Sequence, residues 1–266
     1  MRPPALAPAD ALSALRQAVP LTQCITNYVA MNIAANTLLA AGAAPAMVHT
    51  PEESGDFAKI ARAVTINIGT LSPAWVAGMT AAATAANAAG TPWVLDPVAH
   101  FASSYRAQAA RDLLALRPTV LRGNASEILA LAGGDTTARG VDAADPVMAA
   151  APAARRLAEE TGGVVVVTGE VDLVTDGTRV ATVSGGSPLM PQVTALGCSL
   201  TCLIGSYAAV AAPFEASVAA LVLFAEAGER AARQADGPGS FGWRFLDALA
   251  AVTPADLAAG GRVAWG

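Results

Sequence analysis

Along this chain, short apolar runs alternate with longer alanine-rich stretches of helical spacing. The runs fall at Ala46–Val48, Val64–Ile68, Trp93–Leu95, Thr119–Leu121 and Val164–Val167. They are short, largely β-branched and bounded by polar turns, which predicts strands. Between most of them lie Pro73–Ala89, Tyr105–Leu116, Ser126–Leu131 and Ala144–Glu160, which predict helices. Upstream, Asp10–Val19 reads as an amphipathic helix capped by Asp10 or Pro8, and Asn32–Ala41 as a second that stops at Gly42. Strand and helix in alternation imply βαβ units. The predicted fold is α/β, a mostly parallel central sheet with helices on both faces. Leu173–Thr175 and Arg179–Val183 flank Asp176-Gly177, a hairpin turn signal. The last third predicts helices at Cys198–Val210, Phe214–Arg233 and Phe241–Val252. No repeat and no long linker divides the chain, so residues 1–266 read as a single domain.

Composition narrows this picture. Hydrophobic residues make up 54% and charged residues 14%, which excludes a disordered chain. The mean hydropathy of +0.46 raises the question of a membrane span. No charge occurs between Arg179 and Glu215, and Leu196 to Ala212 is apolar. That stretch is rich in Gly, Ser, Thr, Cys and Ala and poor in large aliphatics, which suits a helix buried on all sides of a water-soluble domain. The net charge is −5 and Lys59 is the single lysine, which argues against a nucleic-acid-binding surface. Three cysteines, Cys24, Cys198 and Cys202, form no disulfide framework. Pro3, Pro4, Pro8 and Asp10 interrupt any signal-peptide core. The expectation is a cytoplasmic protein in a reducing compartment.

Polar motifs follow the strands directly. Ala46-Met47-Val48 runs into His49-Thr50-Pro51-Glu52-Glu53, and Ile66-Asn67-Ile68 into Gly69-Thr70. Val94-Leu95 runs into Asp96-Pro97, Val120-Leu121 into Arg122-Gly123-Asn124-Ala125-Ser126-Glu127, and Val166-Val167 into Thr168-Gly169-Glu170. The C-termini of parallel strands share one edge, and ligands bind outside that edge. Five such turns together predict one crevice, although each alone is an ordinary turn composition.

Two stretches carry most of the chemistry. In the first, Asn124 or Ser126 can cap the next helix, with Glu127 in its first turn and Arg122 a solvated charge. The functional alternative pairs Arg122 with phosphate oxygens, while Glu127 and Asn124 hold hydrated Mg²⁺ and Asp96 adds a second carboxylate. In the second, Val193-Thr194-Ala195-Leu196-Gly197-Cys198 opens the long apolar helix, and free N–H groups there suit an anion. The same field lowers a thiol pKa, which makes Cys198 a candidate base or nucleophile. The alternative is a small buried hydrophobe, the role that fits Cys202. There is no Gly-x-x-x-x-Gly-Lys-Ser/Thr, no Gly-x-Gly-x-x-Gly after a strand and no Gly-x-Ser-x-Gly. With two histidines, His49 and His100, a zinc site is not expected.

Seven blocks in order resemble the hydroxyethylthiazole kinase family. They are Pro20-Leu21-x-x-Cys24-Ile25-Thr26-Asn27-Tyr28-Val29-x-Met31-Asn32; Ala44-Pro45-Ala46-Met47 with Pro51-Glu52-Glu53; Asn67-Ile68-Gly69-Thr70-Leu71; Leu95-Asp96-Pro97-Val98; Arg122 to Glu127; Val167-Thr168-Gly169-Glu170-Val171-Asp172; and Gly237-Pro238-Gly239-Ser240-Phe241. The resemblance spans nearly the whole chain. It implies a ribokinase-like fold and Mg²⁺- and ATP-dependent phosphorylation of the hydroxyethyl group of 4-methyl-5-(2-hydroxyethyl)thiazole, in thiamine salvage. It implies ATP contacts from Arg122, Thr168, Asn124 and Gly197, and a thiazole pocket lined by Asn27, Met47, Gly69, Thr70 and Ala195. It further implies Mg²⁺ near Asp96 and Glu127, Cys198 where related kinases use an Asp base, and a homotrimer with sites at subunit interfaces.

Two departures stand out. The family's usual Thr-Gly-Thr-Gly-Cys is here Thr194-Ala195-Leu196-Gly197-Cys198. Alanine at a position of positive φ costs about 1 kcal/mol, and Leu196 adds bulk in place of a hydroxyl. After Asp96-Pro97-Val98, the sequence Ala99-His100-Phe101 replaces a small-residue run, so His100 either reaches phosphates or sits in solvent. Three other readings follow: a ribokinase-like kinase of another small alcohol, a non-catalytic nucleotide- or thiazole-binding relative, and a lyase of the superfamily. Cys198 in place of Asp speaks against the last.

Overall fold

The computed structural model describes residues 6–133 and 146–266. Among these residues, nine strands form one sheet in the order β2-β1-β3-β4-β5-β6-β7-β8-β9. Strands β1 (Leu21–Ile25), β2 (Ala44–Ala46), β3 (Ala63–Asn67), β4 (Trp93–Asp96), β5 (Val120–Asn124) and β6 (Val164–Thr168) run parallel. Strands β7 (Val171–Thr175), β8 (Val180–Ser184) and β9 (Val263–Trp265) continue it antiparallel. The edge strands β2 and β9 are three residues each, and β2 has Pro45 at its centre.

Why these runs are strands is visible in their two faces. Val94, Val120, Val164 and Val166 enter one core cluster, whereas Leu95, Leu121, Val165 and Val167 enter the other. A strand covered on both sides needs apolar side chains at every position. The first cluster gathers side chains of α1 (Pro8–Ala18), α2 (Met31–Ala41), α8 (Leu196–Ala208), α9 (Pro213–Ala232) and α10 (Pro238–Ala251). The second gathers those of α3 (Pro51–Ile60), α4 (Pro73–Ala89), α5 (Ser104–Ala115), α6 (Ala125–Leu131) and α7 (Pro146–Thr161). A short α11 (Pro254–Ala259) precedes β9. The expected start of α7 at Ala144 lies outside the described residues.

The apolar stretch 196–212 resolves into α8, which packs on α9, α2 and strands β1, β3 and β4. Among the described residues, no helix is long and apolar enough to cross a membrane. Several elements differ from expectation: β2 lies two residues before the expected Ala46–Val48, and α11 and β9 match no predicted element. Strand β1 was not anticipated, because Thr22, Gln23 and Cys24 break its apolar pattern. They are nonetheless buried, with Thr22 bonded to Ser206 Oγ at 2.9 Å and Gln23 Nε2 donating to Val48 O at 3.1 Å and Ser54 O at 3.2 Å. Helix α3 replaces the expected polar turn after β2, with Pro51 in its first turn, Glu52 and Glu53 beside it, and Lys59 in its last. Strand β5 extends through Asn124, which ends the strand and caps α6 at once.

Candidate active site

The C-terminal edge of the parallel strands carries a continuous hydrogen-bonded network. Register places Asn67, the last residue of β3, beside Asp96, the last of β4. Asn67 Nδ2 donates to Asp96 Oδ2 at 2.8 Å. Asn27, just past β1, donates from Nδ2 to Asn67 Oδ1 at 2.9 Å and to Cys198 Sγ at 3.3 Å. The Asn27 orientation is fixed by its own Oδ1, which accepts the N–H groups of Val29 and Ala30. All donors therefore point one way, from the start of α2 through the two amides to Asp96 and Cys198.

Helix α8 starts over the same edge. One turn in, Thr201 donates to Asp96 Oδ2 at 2.6 Å. Arg122 approaches the same oxygen at 3.4 Å and donates to Thr168 Oγ1 at 2.7 Å. Gly197 admits the guanidinium, since a Cβ there would sit 3.0 Å from Arg122 Nη2. Asp96 is fully buried, and among the described residues its Oδ1 has no hydrogen-bond partner. Burial outweighs the nearby Arg122 and raises the Asp96 pKa to about 6.

Cys198 differs from the expectation. Burial and the neighbouring Asp96 push its thiol up to about 11, against the effect of the helix start. It is a protonated thiol at neutral pH, with Asn27 donating onto its sulfur. Cys202 is buried and within 3.4 Å of Thr65 Oγ1, as a structural cysteine should be.

Glu127 and Asn124 form a full capping box on α6. Asn124 Oδ1 accepts the Glu127 N–H at 2.9 Å, and Glu127 Oε2 accepts the Asn124 N–H at 2.8 Å. Glu127 Oε1 also accepts the Ala99 N–H at 2.9 Å, which ties α6 to the loop after β4. Among the described residues no three His, Cys, Asp or Glu side chains converge as a metal cage. Two buried carboxylates, one with an unpartnered oxygen, suit Mg²⁺, which binds one or two carboxylates, keeps waters and meets substrate phosphates.

On the other flank, Gly69 lies against Asn27, where a Cβ would fall 2.5 Å from Nδ2. Thr70 Oγ1 accepts the Tyr28 N–H at 3.1 Å. Ala195 is the N-cap of α8 with φ +64°, as the departure from the family stretch implied. Leu196 does not enter the crevice: it is 3% exposed and belongs to the core. Met47 stands apart from the network, packed on the core with its carbonyl 3.1 Å from His49 Nδ1. His100 is neither solvated nor bonded to the site residues. It is buried, edge-on to Phe101, with Nδ1 3.3 Å from Pro97 O. Arg122 is likewise no solvated charge, its side chain being 12% exposed. Sequence reasoning misses Thr201 and assigns Asn67 no role, although Asn67 ends an apolar run and Thr201 lies four residues after Gly197.

The model of the hydroxyethylthiazole kinase family matches residues 12–255. The chain belongs to that family. A hydroxyethylthiazole kinase of Gemmatimonas aurantiaca is 77% identical over 98% of this chain and 95% of its own length. One from Rhizobium rhizogenes is 63% identical, covering 95% of each chain. The hydroxyethylthiazole kinase structure from Pyrococcus horikoshii superposes with a TM-score of 0.90 at 38% identity, covering 97% of this chain and 98% of that one. An ADP complex of Bacillus subtilis pyridoxal kinase, at 19% identity and TM-score 0.59 over 79% of this chain and 91% of its own, shares the ribokinase-like fold.

Proposed function

We propose that this family member phosphorylates the hydroxyethyl group of 4-methyl-5-(2-hydroxyethyl)thiazole with ATP and Mg²⁺, in thiamine salvage. The observation that carries the reading is the 77% identity to a hydroxyethylthiazole kinase over almost the full length. Phosphoryl transfer needs positioning and charge neutralisation more than covalent help. The crevice supplies both. Arg122, held by Thr168 and Asp96, presents its guanidinium to phosphate oxygens, with Asn124 and Gly197 beside them. The first amides of α8, at Gly197 and Cys198, lack intrahelical acceptors and add an anion-binding end. Asp96 and Glu127 would hold Mg²⁺. Mg²⁺, when bound, neutralises charge on the phosphate oxygens.

The alcohol enters from the Asn27, Gly69 and Thr70 side, with Ala195 at the rim and Met47 further out. Cys198 orients the hydroxyl. Because its thiol is protonated, the contribution to proton removal is modest, at or below the about 10²-fold lower end of general-base effects. Tyr28 and Val29, next to Asn27, are 68% and 58% exposed, which leaves this flank open to a neighbouring subunit. A homotrimer with sites at its interfaces, working in the cytoplasm, completes the proposal. Since Leu196 faces the core, nothing favours a different alcohol.

The test is ATP-dependent conversion of hydroxyethylthiazole by purified protein, with Mg²⁺ or with EDTA, followed by mass spectrometry. Phosphorylated thiazole should form only with Mg²⁺. Folded protein that forms none in its presence would sink the proposal.

A further inference from the structure

Arg106 lies in the first turn of α5, where its N–H is capped by Ser103 Oγ at 3.3 Å. A cation there sits at the unfavourable, positive end of the helix dipole. Its guanidinium turns back over the sheet edge and meets four backbone carbonyls. Nη2 donates to Ile68 O at 2.8 Å and Val98 O at 2.5 Å, Nη1 to Gly69 O at 3.2 Å, and Nε to Ala99 O at 3.1 Å. Two of these carbonyls belong to the loop after β3 and two to the loop after β4. None of the four partners is a carboxylate.

Each loop leads into the site. The first carries Gly69, packed on Asn27, and Thr70. In the second, Ala99 adopts φ +46°, a conformation alanine disfavours. It is gripped from both sides: its carbonyl accepts from Arg106 and its N–H donates to Glu127. A planar fork of five donors can span four carbonyls, whereas a lysine ammonium cannot.

We propose that Arg106 is a positioning residue for the transfer. It fixes the Gly69-Thr70 loop at the alcohol end relative to Glu127 at the magnesium and phosphate end. The inference rests on the phosphotransfer reading above and extends it to a residue that touches neither substrate.

Arg106→Lys and Arg106→Ala test it. In Arg106→Lys, kcat/KM should fall about 10–100-fold, the scale of a misplacement near 1 Å. The fall should combine a lower kcat with a higher KM for the alcohol. Millimolar guanidinium should restore part of the Arg106→Ala activity, and methylammonium should not. Amide hydrogen exchange should accelerate at Gly69 and Ala99 while Val64 and Leu95 within the sheet keep their protection. Unchanged kinetics in Arg106→Lys, or unchanged exchange at both loops, overturns the proposal. So does a loss confined to kcat with all amides exchanging faster, the mark of a merely destabilised fold. If the wild type forms no phosphorylated thiazole, the substrate reading falls, and the exchange comparison alone decides whether Arg106 holds the loops.

Discussion

Asn67 hands its amide to Asp96 at 2.8 Å while Asp96 Oδ1, in the same buried pocket, has no partner among the described residues. The site thus keeps one carboxylate oxygen solvated by protein and leaves the other unsatisfied. A buried carboxylate left in this state costs the fold stability.

Asp96→Asn should therefore stabilise the ligand-free protein. The Asp96 pKa is raised from 3.8 to about 6 by burial, so between those values folded chains retain a proton that unfolded chains release. The penalty is absent below the lower value, grows as pH rises, and is complete above the upper one. Urea unfolding at pH 8 should show Asp96→Asn more stable by about 2–3 kcal/mol, with the difference vanishing near pH 4. Its activity should drop by at least about 10²-fold. A variant that is less stable at pH 8 contradicts the burial argument.

Cys198 should resist alkylation at neutral pH. With its thiol moved from 9.0 to about 11, the thiolate fraction at pH 8 is about 100-fold below that of an ordinary cysteine. Iodoacetamide labelling mapped by mass spectrometry across pH 7 to 11 reads this directly. Cys198→Ser should keep measurable kinase activity; fast labelling at pH 7, or complete inactivity of folded Cys198→Ser, would count against the modest role.

Ala195→Gly should raise stability by about 1 kcal/mol. Ala195 pays for a left-handed backbone at φ +64° that glycine adopts freely. The urea midpoint measures the gain. No gain would mean that the added freedom of the unfolded glycine chain cancels the relief.

Gly69→Ala should damage the proposed alcohol end of the site. The new Cβ would fall 2.5 Å from Asn27 Nδ2 and 2.7 Å from its Cγ, so Asn27 must leave Asn67 and Cys198. A stability loss of about 1–3 kcal/mol and a raised KM for the alcohol are expected. Gly239→Ala, where nothing among the described residues lies within 4 Å of the added carbon, is the control for stability.

Much of the candidate site is legible in the chain because its residues end strands. Asp96, Arg122 and Thr168 each follow an apolar run, and parallel topology brings such positions together whatever their separation in sequence. Strand β1 escaped because its polar residues are satisfied by α8 and by the chain around β2 and α3, partners no local pattern reveals. The state of Cys198 escaped for a related reason: the sequence locates a helix start, whereas burial and the nearness of Asp96 are tertiary facts. Arg106 looks like any exposed helical arginine until the two loops are folded against it.

A wide sheet with long free borders invites another chain to add a strand. Here one border is β2, whose central residue, Pro45, has no N–H to offer, and the other is the three-residue β9. Both flanks give an incoming strand too few groups to pair with, so the sheet resists growth beyond its own chain and the protein is protected from edge-to-edge aggregation.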